Sequence, residues 1–420
     1  MKFSAKLEGL LSGLSPVLVV SETGAKNEYP DALKTSLTVS KDGIIAEAHN
    51  GNVAARSEIA TQTNLDYHFD TEGTITVLTK QLTGVFKSFD LSEILNFELK
   101  GGELEIRPQS DIDKLQTVQT DNRKVEMPII ATNFSKTVVV SKELLSQAIK
   151  NVVWAVGTEK LRPIFFYWVL RFKKTGELRS VAGDGGRFIV DNTEGSDTSS
   201  KNDVNVIIFK EQNPALLKVL EMVDLSKVEI KEFVRNPKDT IADHIVFSMD
   251  TLTVILVGHD SGVNWPHEDK YVNRAANYRF VTDPKDWDKE FKGVLATVVK
   301  ETTDSNDVHV TTMTFDSKKK ILHLKADGPM RAQRKVKILD SQIGPNLPDT
   351  LEISVETANL RDMVNHADGM FQFELEDDKK PVVVRYFADQ TVQNSPLYKV
   401  NKANNTKEQY LMFFAAFNKQ

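Results

Sequence analysis

One pattern recurs three times at long spacing in this 420-residue chain, and it narrows the available folds. The pattern begins with an amphipathic helical stripe. Leu7, Leu11, Leu14 and Leu18 stand at i, i+4, i+7 and i+11. Leu145, Ile149, Val152, Val153 and Val156 add i+8 to those offsets, and Trp287, Phe291, Val294, Leu295 and Val298 match them. Residues so spaced share one face of an α-helix. The third stripe opens on Asp283-Pro284, a cap residue followed by proline at the first helical position.

A hairpin ending in Asn-Gly or Asp-Gly follows each stripe. Residues 38–51 read TVSKDGIIAEAHNG, 171–185 read RFKKTGELRSVAGDG and 314–328 read TFDSKKKILHLKADG. A second helix then returns. Its apolar positions are Leu78, Leu82, Val85, Phe86 and Phe89 in the first copy. Leu216, Leu217, Leu220 and Val223 follow Asn213-Pro214 in the second, and Leu360, Met363, Val364 and Ala367 form the third. Alternating strands close each copy, as in FELKGGELEI at 97–106 and FQFELEDDKKPVVVRY at 371–386.

The first stripes start at Leu7, Leu145 and Trp287, roughly 140 residues apart, whereas solenoids repeat every 20 to about 50. The spacing therefore predicts an α+β chain of three tandem copies of one domain, each with two helices against antiparallel sheet. The expected domains are 1–130, 131–277 and 278–420, with junctions in 121–135 and 273–283.

Composition excludes several chemistries. The chain has no cysteine, which removes disulfides, thiolate metal sites and a cysteine nucleophile. The apolar residues of the N-terminus are interrupted by Lys6, Glu8, Ser12, Gly13 and Pro16, unlike a signal peptide. No apolar run approaches the ~18 residues of a membrane helix, so a soluble, cytoplasmic protein is expected. The net charge of −6 argues against a wrapping DNA binder but leaves room for a basic face on an acidic body.

Gly183-Asp184-Gly185-Gly186-Arg187 lies between two apolar runs and admits three readings: a turn, a phosphate loop or the lip of a pocket. No Gly-Lys-Ser/Thr follows it, and a strand-like run stands where a dinucleotide loop needs a helix. His244, His259 and His267 lack the spacing of a metal set. Glu376-Asp377-Asp378 suits a solvated hairpin tip. No catalytic residue, metal or cofactor is expected. A phosphate- or nucleotide-handling enzyme built on the Asp184 loop is the alternative, and a structural ring protein is a third reading.

Several segments carry a family resemblance. Val139 to Leu145 read VVSKELL, Leu161-Arg162-Pro163 precede the central strand, and Arg179 to Arg187 read RSVAGDGGR. Gly262-Val263-Asn264-Trp265-Pro266 form an aromatic-proline corner. With the three-domain order, these resemble the bacterial-type DNA sliding clamp, the β subunit of the replicative DNA polymerase. The resemblance implies a processivity factor rather than an enzyme. Two identical chains would close head to tail around duplex DNA, helices inside and antiparallel sheet outside. The implied partners are double-stranded DNA, the replicative polymerase, a clamp loader and a second copy of the chain. Phosphate contacts carry no sequence information, which suits sliding.

Carried onto this sequence, the resemblance implies DNA-facing roles for Lys6, Lys26, Lys80, Lys87, Lys142, Lys150, Lys218, Lys289, Lys292 and Arg361. Exposed helix faces carry lysine in any case. It implies a partner-peptide pocket lined by Phe166, Gly183, Gly185, Arg187, Phe188, Pro266, Tyr271, Leu411, Phe413 and Phe414. Such a pocket suits an extended peptide with leucine and phenylalanine anchors. Leu115, Val118 and Val299 fall at the implied dimer interface. The chain departs from the family in Gly186, where a histidine or aromatic residue is commoner. It also departs in the polar insert 195–203, the loop 387–406 and a longer, aromatic C-terminus from Tyr410 to Gln420.

Overall fold

A computed structural model describes residues 1–23, 31–60, 65–121, 123–128, 136–157, 163–184, 186–194, 203–233, 244–258, 276–283, 285–287, 289–291, 310–327, 332–366, 370–378, 380–387 and 410–414. The element order reveals a shorter unit than the sequence repeat: a strand, a helix and three strands, met six times.

The first run is β1 (Lys2–Lys6), α1 (Leu7–Glu22), β2 (Lys34–Ser40), β3 (Gly43–His49) and β4 (Val53–Ala60). After a short β5 (His68–Thr71) come β6 (Gly73–Leu78), α2 (Thr79–Phe86), β7 (Ile94–Lys100), β8 (Glu103–Pro108) and β9 (Gln116–Asp121). The third run is β10 (Lys136–Ser141), α3 (Lys142–Val152), β11 (Tyr167–Phe172), β12 (Glu177–Gly183) and β13 (Arg187–Glu194). The fourth is β14 (Val204–Phe209), α4 (Asn213–Met222), β15 (Lys227–Phe233), β16 (His244–Met249) and β17 (Leu252–Val257). The fifth has β18 (Tyr278–Thr282), helical residues 285–287 and 289–291, β19 (Val310–Asp316), β20 (Ile321–Asp327) and β21 (Ala332–Ile343). The sixth is β22 (Thr350–Glu356), α5 (Thr357–His366), β23 (Met370–Leu375), β24 (Val382–Phe387) and β25 (Tyr410–Phe414).

Two compact units emerge from the contacts. One comprises 1–147, 171–176 and 196–262; the other comprises 148–170, 177–195 and 263–420. In the first, one antiparallel sheet runs β10-β15-β16-β17-β4-β3-β2-β6-β9-β8-β7-β1-β5. In the second, strands follow the order β12-β13-β25-β24-β23-β18-β21-β20-β19-β22. Two pairings continue these sheets across distant parts of the chain. β17 joins β4 with Val254 opposite Ala55, and β13 joins β25 with Phe188 opposite Phe413.

Matching registers in the two units show that the repeat is structural. Thr35 faces Val77 and Ser36 faces Thr76 across β2 and β6; Thr311 faces Val355 and Thr312 faces Ser354 across β19 and β22. The hydroxyls agree as well. Thr35 bonds Thr79 at the start of α2 at 2.8 Å, and Thr311 bonds Thr357 at the start of α5 at the same distance. Each pair is buried, so each hydroxyl finds its partner inside the protein.

The apolar stripes form the cores, with local shifts. Leu7, Leu14 and Leu18 are buried as expected, but Leu10 is buried where Leu11 is half-exposed. Leu78 is no part of a helical face: it ends β6 and is exposed. Leu82, Phe86 and Phe89 are buried. The Leu145 stripe stops early, because α3 ends at Val152 and a 3₁₀ turn takes Val153–Ala155. The Trp154 indole there donates to the Asn151 carbonyl at 2.9 Å, satisfying one of the acceptors a helix leaves at its end. Ala367, Val294, Leu295 and Val298 lie outside the described residues. In the second unit Trp287 packs within 6 Å of Phe291, Phe371 and Phe373, and its indole donates to Thr282.

Among the described residues, no helix is long and apolar enough to cross a membrane. The Thr79 hydroxyl also bonds Ser21 at 2.8 Å, so it serves two buried partners. Thr79→Val should therefore lower stability by about 1–3 kcal/mol, read as a fall in the urea midpoint. Thr74→Val, at the half-exposed Thr38–Thr74 pair, should cost less than half as much.

Candidate functional site

The expected DNA-facing cations fall on the helices and their ends. Lys80 and Lys87 are exposed at the first turn and C-cap of α2, Lys150 in the last turn of α3, and Lys218 on α4. Lys289 is exposed in the helical residues 289–291. Some of the cations also make contacts within the fold. Lys142 donates to the Val223 carbonyl at 2.8 Å, and Lys6 lies 3.1 Å from Glu8. Lys218 reaches the Thr23 hydroxyl at 3.4 Å, near the C-terminus of α1. Arg361 bonds Asp362 at 3.1 Å. Lys26 and Lys292 lie outside the described residues.

At the expected interface, Leu115 is 41% exposed beside β9, while Val118 on β9 is only 2% exposed and packs into its own unit. Val118 can therefore offer a partner only its backbone. Beside these residues an open hollow of about 380 Å³ is lined by Lys80, Gln81, Gly84, Val85, Gln116, Thr117 and Gln119. β9 pairs with β6 only at Asp121 and Thr120, which leaves Gln116–Gln119 unmatched on that side among the described pairings. Val299 lies outside the described residues.

β12 and β13 pair antiparallel with Gly183 opposite Phe188, so the chain reverses direction between them. A Cβ on Gly183 would sit 2.7 Å from the Arg187 carbonyl oxygen, so a side chain there has no room. The Asp184 carboxylate accepts from the backbone N–H groups of Gly186 and Arg187, both at 3.0 Å. Those are the amides that a phosphate would need, and they are already bonded to a negative side chain. This geometry counts against the phosphate-loop reading of Asp184.

Arg187 is held from several sides, and its side chain is 11% exposed. Its Nη1 donates to Asp362 at 2.6 Å. Its Nε lies 3.0 Å from Asp184, an ion pair in distance though not aligned as a hydrogen bond. Its guanidinium lies 5.1 Å from the centre of the Trp154 ring, within cation–π range. Trp154 in turn stacks on His366 of α5, 4.4 Å between ring centres and 11° between planes. Phe188 meets Phe165 edge-on at 5.7 Å, and Gly157 donates its amide to the Phe165 and Gly183 carbonyls. Phe166 is half-buried in the neighbouring 3₁₀ turn.

The structure thus brings together Gly183, Arg187 and Phe188, with Phe166 next in sequence to the Phe165 that meets Phe188. It pairs Arg187 and Phe188 with Phe414 and Phe413, and Leu411 with Val190. Gly185, Pro266 and Tyr271 lie outside the described residues. Trp154, Asp362 and His366 were absent from the sequence expectation. Asp362 and His366 are four apart, so they share a face of α5, but only the fold shows that this face meets the turn.

Among the described residues no cluster of three or more His, Cys, Asp or Glu could hold a metal ion. Burial pushes the His366 imidazole below its ordinary value; Asp362 opposes the fall and Arg187 adds to it. The folded protein thus resists a proton that the unfolded chain accepts below 6.5, so stability should decline as pH falls through that value. His366→Phe keeps an aromatic stack and should flatten the decline in thermal melts from pH 7.5 to 5. The remaining slope would include His49, whose imidazole burial also lowers.

No protein-family model and no curated protein sequence matches the chain. Solved structures match it over its full length. The DNA polymerase sliding clamp of Bacillus subtilis superposes with a TM-score of 0.78 at 14% identity, covering 100% of both chains. The DNA polymerase III subunit beta of Pseudomonas aeruginosa gives 0.78 at 17% identity, covering 99% of this chain and 100% of that one. The DNA polymerase III beta chain of Streptococcus pneumoniae gives 0.79 at 15%, covering 99% of each. With its repeated strand–helix–three-strand runs and antiparallel sheets, the chain has the α+β fold of the bacterial DNA sliding clamps.

Proposed function

We propose that this chain is a DNA polymerase processivity factor: a sliding clamp whose two copies close head to tail around duplex DNA. The observation that carries the reading is the full-length match to sliding clamps, at TM-scores near 0.78 and without a large uncovered segment on either side. Its domains are 1–130, 131–277 and 278–420, and its place is the cytoplasm. It has no catalytic role. It tethers the replicative polymerase, and receives its loader, through an apolar pocket bordered by Arg187, Phe188, Phe413 and Phe414.

The local chemistry supports each part. Exposed lysines on α2, α3 and α4 offer phosphate contacts on a chain whose net charge is −6, which favours weak, sequence-independent holding. The exposed Leu115 and the unmatched side of β9 suit pairing with a second copy, because a free strand edge is otherwise a site of uncontrolled association.

Light scattering should give twice the mass of one chain, and a monomer at every concentration would sink the two-chain ring. In primed-template synthesis with the cognate polymerase and loader, the chain should lengthen the products. Charge reversal of Lys150 and Lys218 together should weaken retention on circular DNA. If each lysine meets one phosphate, the log–log salt slope should drop by about 0.9 per lysine. Unchanged retention would remove both residues from the DNA-facing surface.

A further inference from the structure

Among the described residues, Asp362 is a carboxylate shared by two arginines of different expected duties. Arg361 donates Nε to its Oδ1 at 3.1 Å, and Arg187 donates Nη1 to its Oδ2 at 2.6 Å. Arg361 has a side chain 41% exposed on α5, where it can turn toward a phosphate. Arg187 is 11% exposed, locked at the hairpin turn between Asp184, Asp362 and the Trp154 ring. We propose that Asp362 couples DNA contact at Arg361 to the partner-peptide pocket at Arg187. When a phosphate takes Arg361, Asp362 is left to Arg187 alone.

The proposal rests on the clamp reading and deepens it. Two cations divide the attraction of a single carboxylate, and a half-buried carboxylate is screened less than a solvated one. Once a phosphate neutralises Arg361, the Arg187–Asp362 pair strengthens. The guanidinium then settles against Trp154, whose ring is itself fixed by the His366 stack and by its bond to the Asn151 carbonyl. Arg187 Nη2 makes no hydrogen bond among the described residues, so its donors remain for a carbonyl or carboxylate of an incoming peptide. A fixed donor binds more tightly than one that must be ordered on arrival. Thermodynamic linkage requires the reverse effect too: bound peptide raises the affinity of Arg361 for phosphate by the same factor.

Asp362, Trp154 and His366 are in this account positioning residues. Truncating Arg361 should imitate the arrival of DNA. The test measures binding of a fluorescein-labelled acetyl-Ala-Leu-Ala-Leu-Phe peptide to the full chain by anisotropy. Arg361→Ala should tighten binding about threefold, Asp362→Asn should weaken it about tenfold, and Arg361→Lys should restore the wild-type value. Arg361→Ala added to Asp362→Asn should change nothing further, because Arg361 acts through Asp362. A gain that persists without Asp362, or no gain from Arg361→Ala, overturns the coupling. If no variant binds the peptide, the pocket reading itself fails. The sharing of Asp362 is then decided by the Arg187 Nε–H resonance in ¹⁵N spectra: it should move on Arg361→Ala, and a fixed resonance overturns the proposal.

Discussion

Every strand in a sheet has two rows of backbone hydrogen-bonding groups, and a row left without partners in the interior is costly. That constraint organises this molecule. The strand–helix–three-strand runs cannot satisfy their outer strands alone, so the last strand of one run pairs with a strand distant in sequence. β4 finds β17 almost 200 residues away, and β13 finds β25 at the far end of the chain. Each such pairing continues a sheet where it would otherwise stop. The helices then have one apolar side to cover, and their remaining sides are left to carry charge.

The same pairing aligns residues of the proposed pocket along one ladder. β25 brings Phe413 and Phe414 opposite Phe188 and Arg187, so residues more than 220 apart share two rungs of one ladder. The turn that ends β12 is narrow because Asp184 ties down two amides and Gly183 has no side chain. What might have been an anion-binding loop is closed by its own aspartate. The turn instead projects Arg187 toward α5, where Asp362 and the Trp154–His366 stack receive it. An arginine fixed by a carboxylate and an aromatic face keeps a defined position, which a long flexible side chain would lose in solvent.

Helical periodicity proved a good guide to which segments are helices and a weaker guide to their ends. Leu145 and Ile149 are buried as their spacing requires, yet α3 gives way to a 3₁₀ turn at Val153. Trp154 explains the difference: its indole bonds the end of the helix and its ring is drawn under Arg187. Leu78 kept the helical spacing but belongs to a strand end, since β6 must reach that far to pair Leu78 with Lys34. Spacing counts apolar positions; it does not record which neighbour claims the backbone.

The sequence by itself determined the long repeat, the helix-and-hairpin content and the turn at Gly183–Arg187. Those depend on local periodicity and on residues with special backbone freedom, which act over a few positions. It also singled out Arg187 and Phe188 through their resemblance to sliding clamps. The tertiary structure decided that the repeat divides again into six shorter runs, and which distant strands meet. It also decided that Asp362 stands between Arg187 and Arg361. Pairing across hundreds of residues depends on which free edges meet in space. A carboxylate shared by two arginines leaves no periodic trace along the chain.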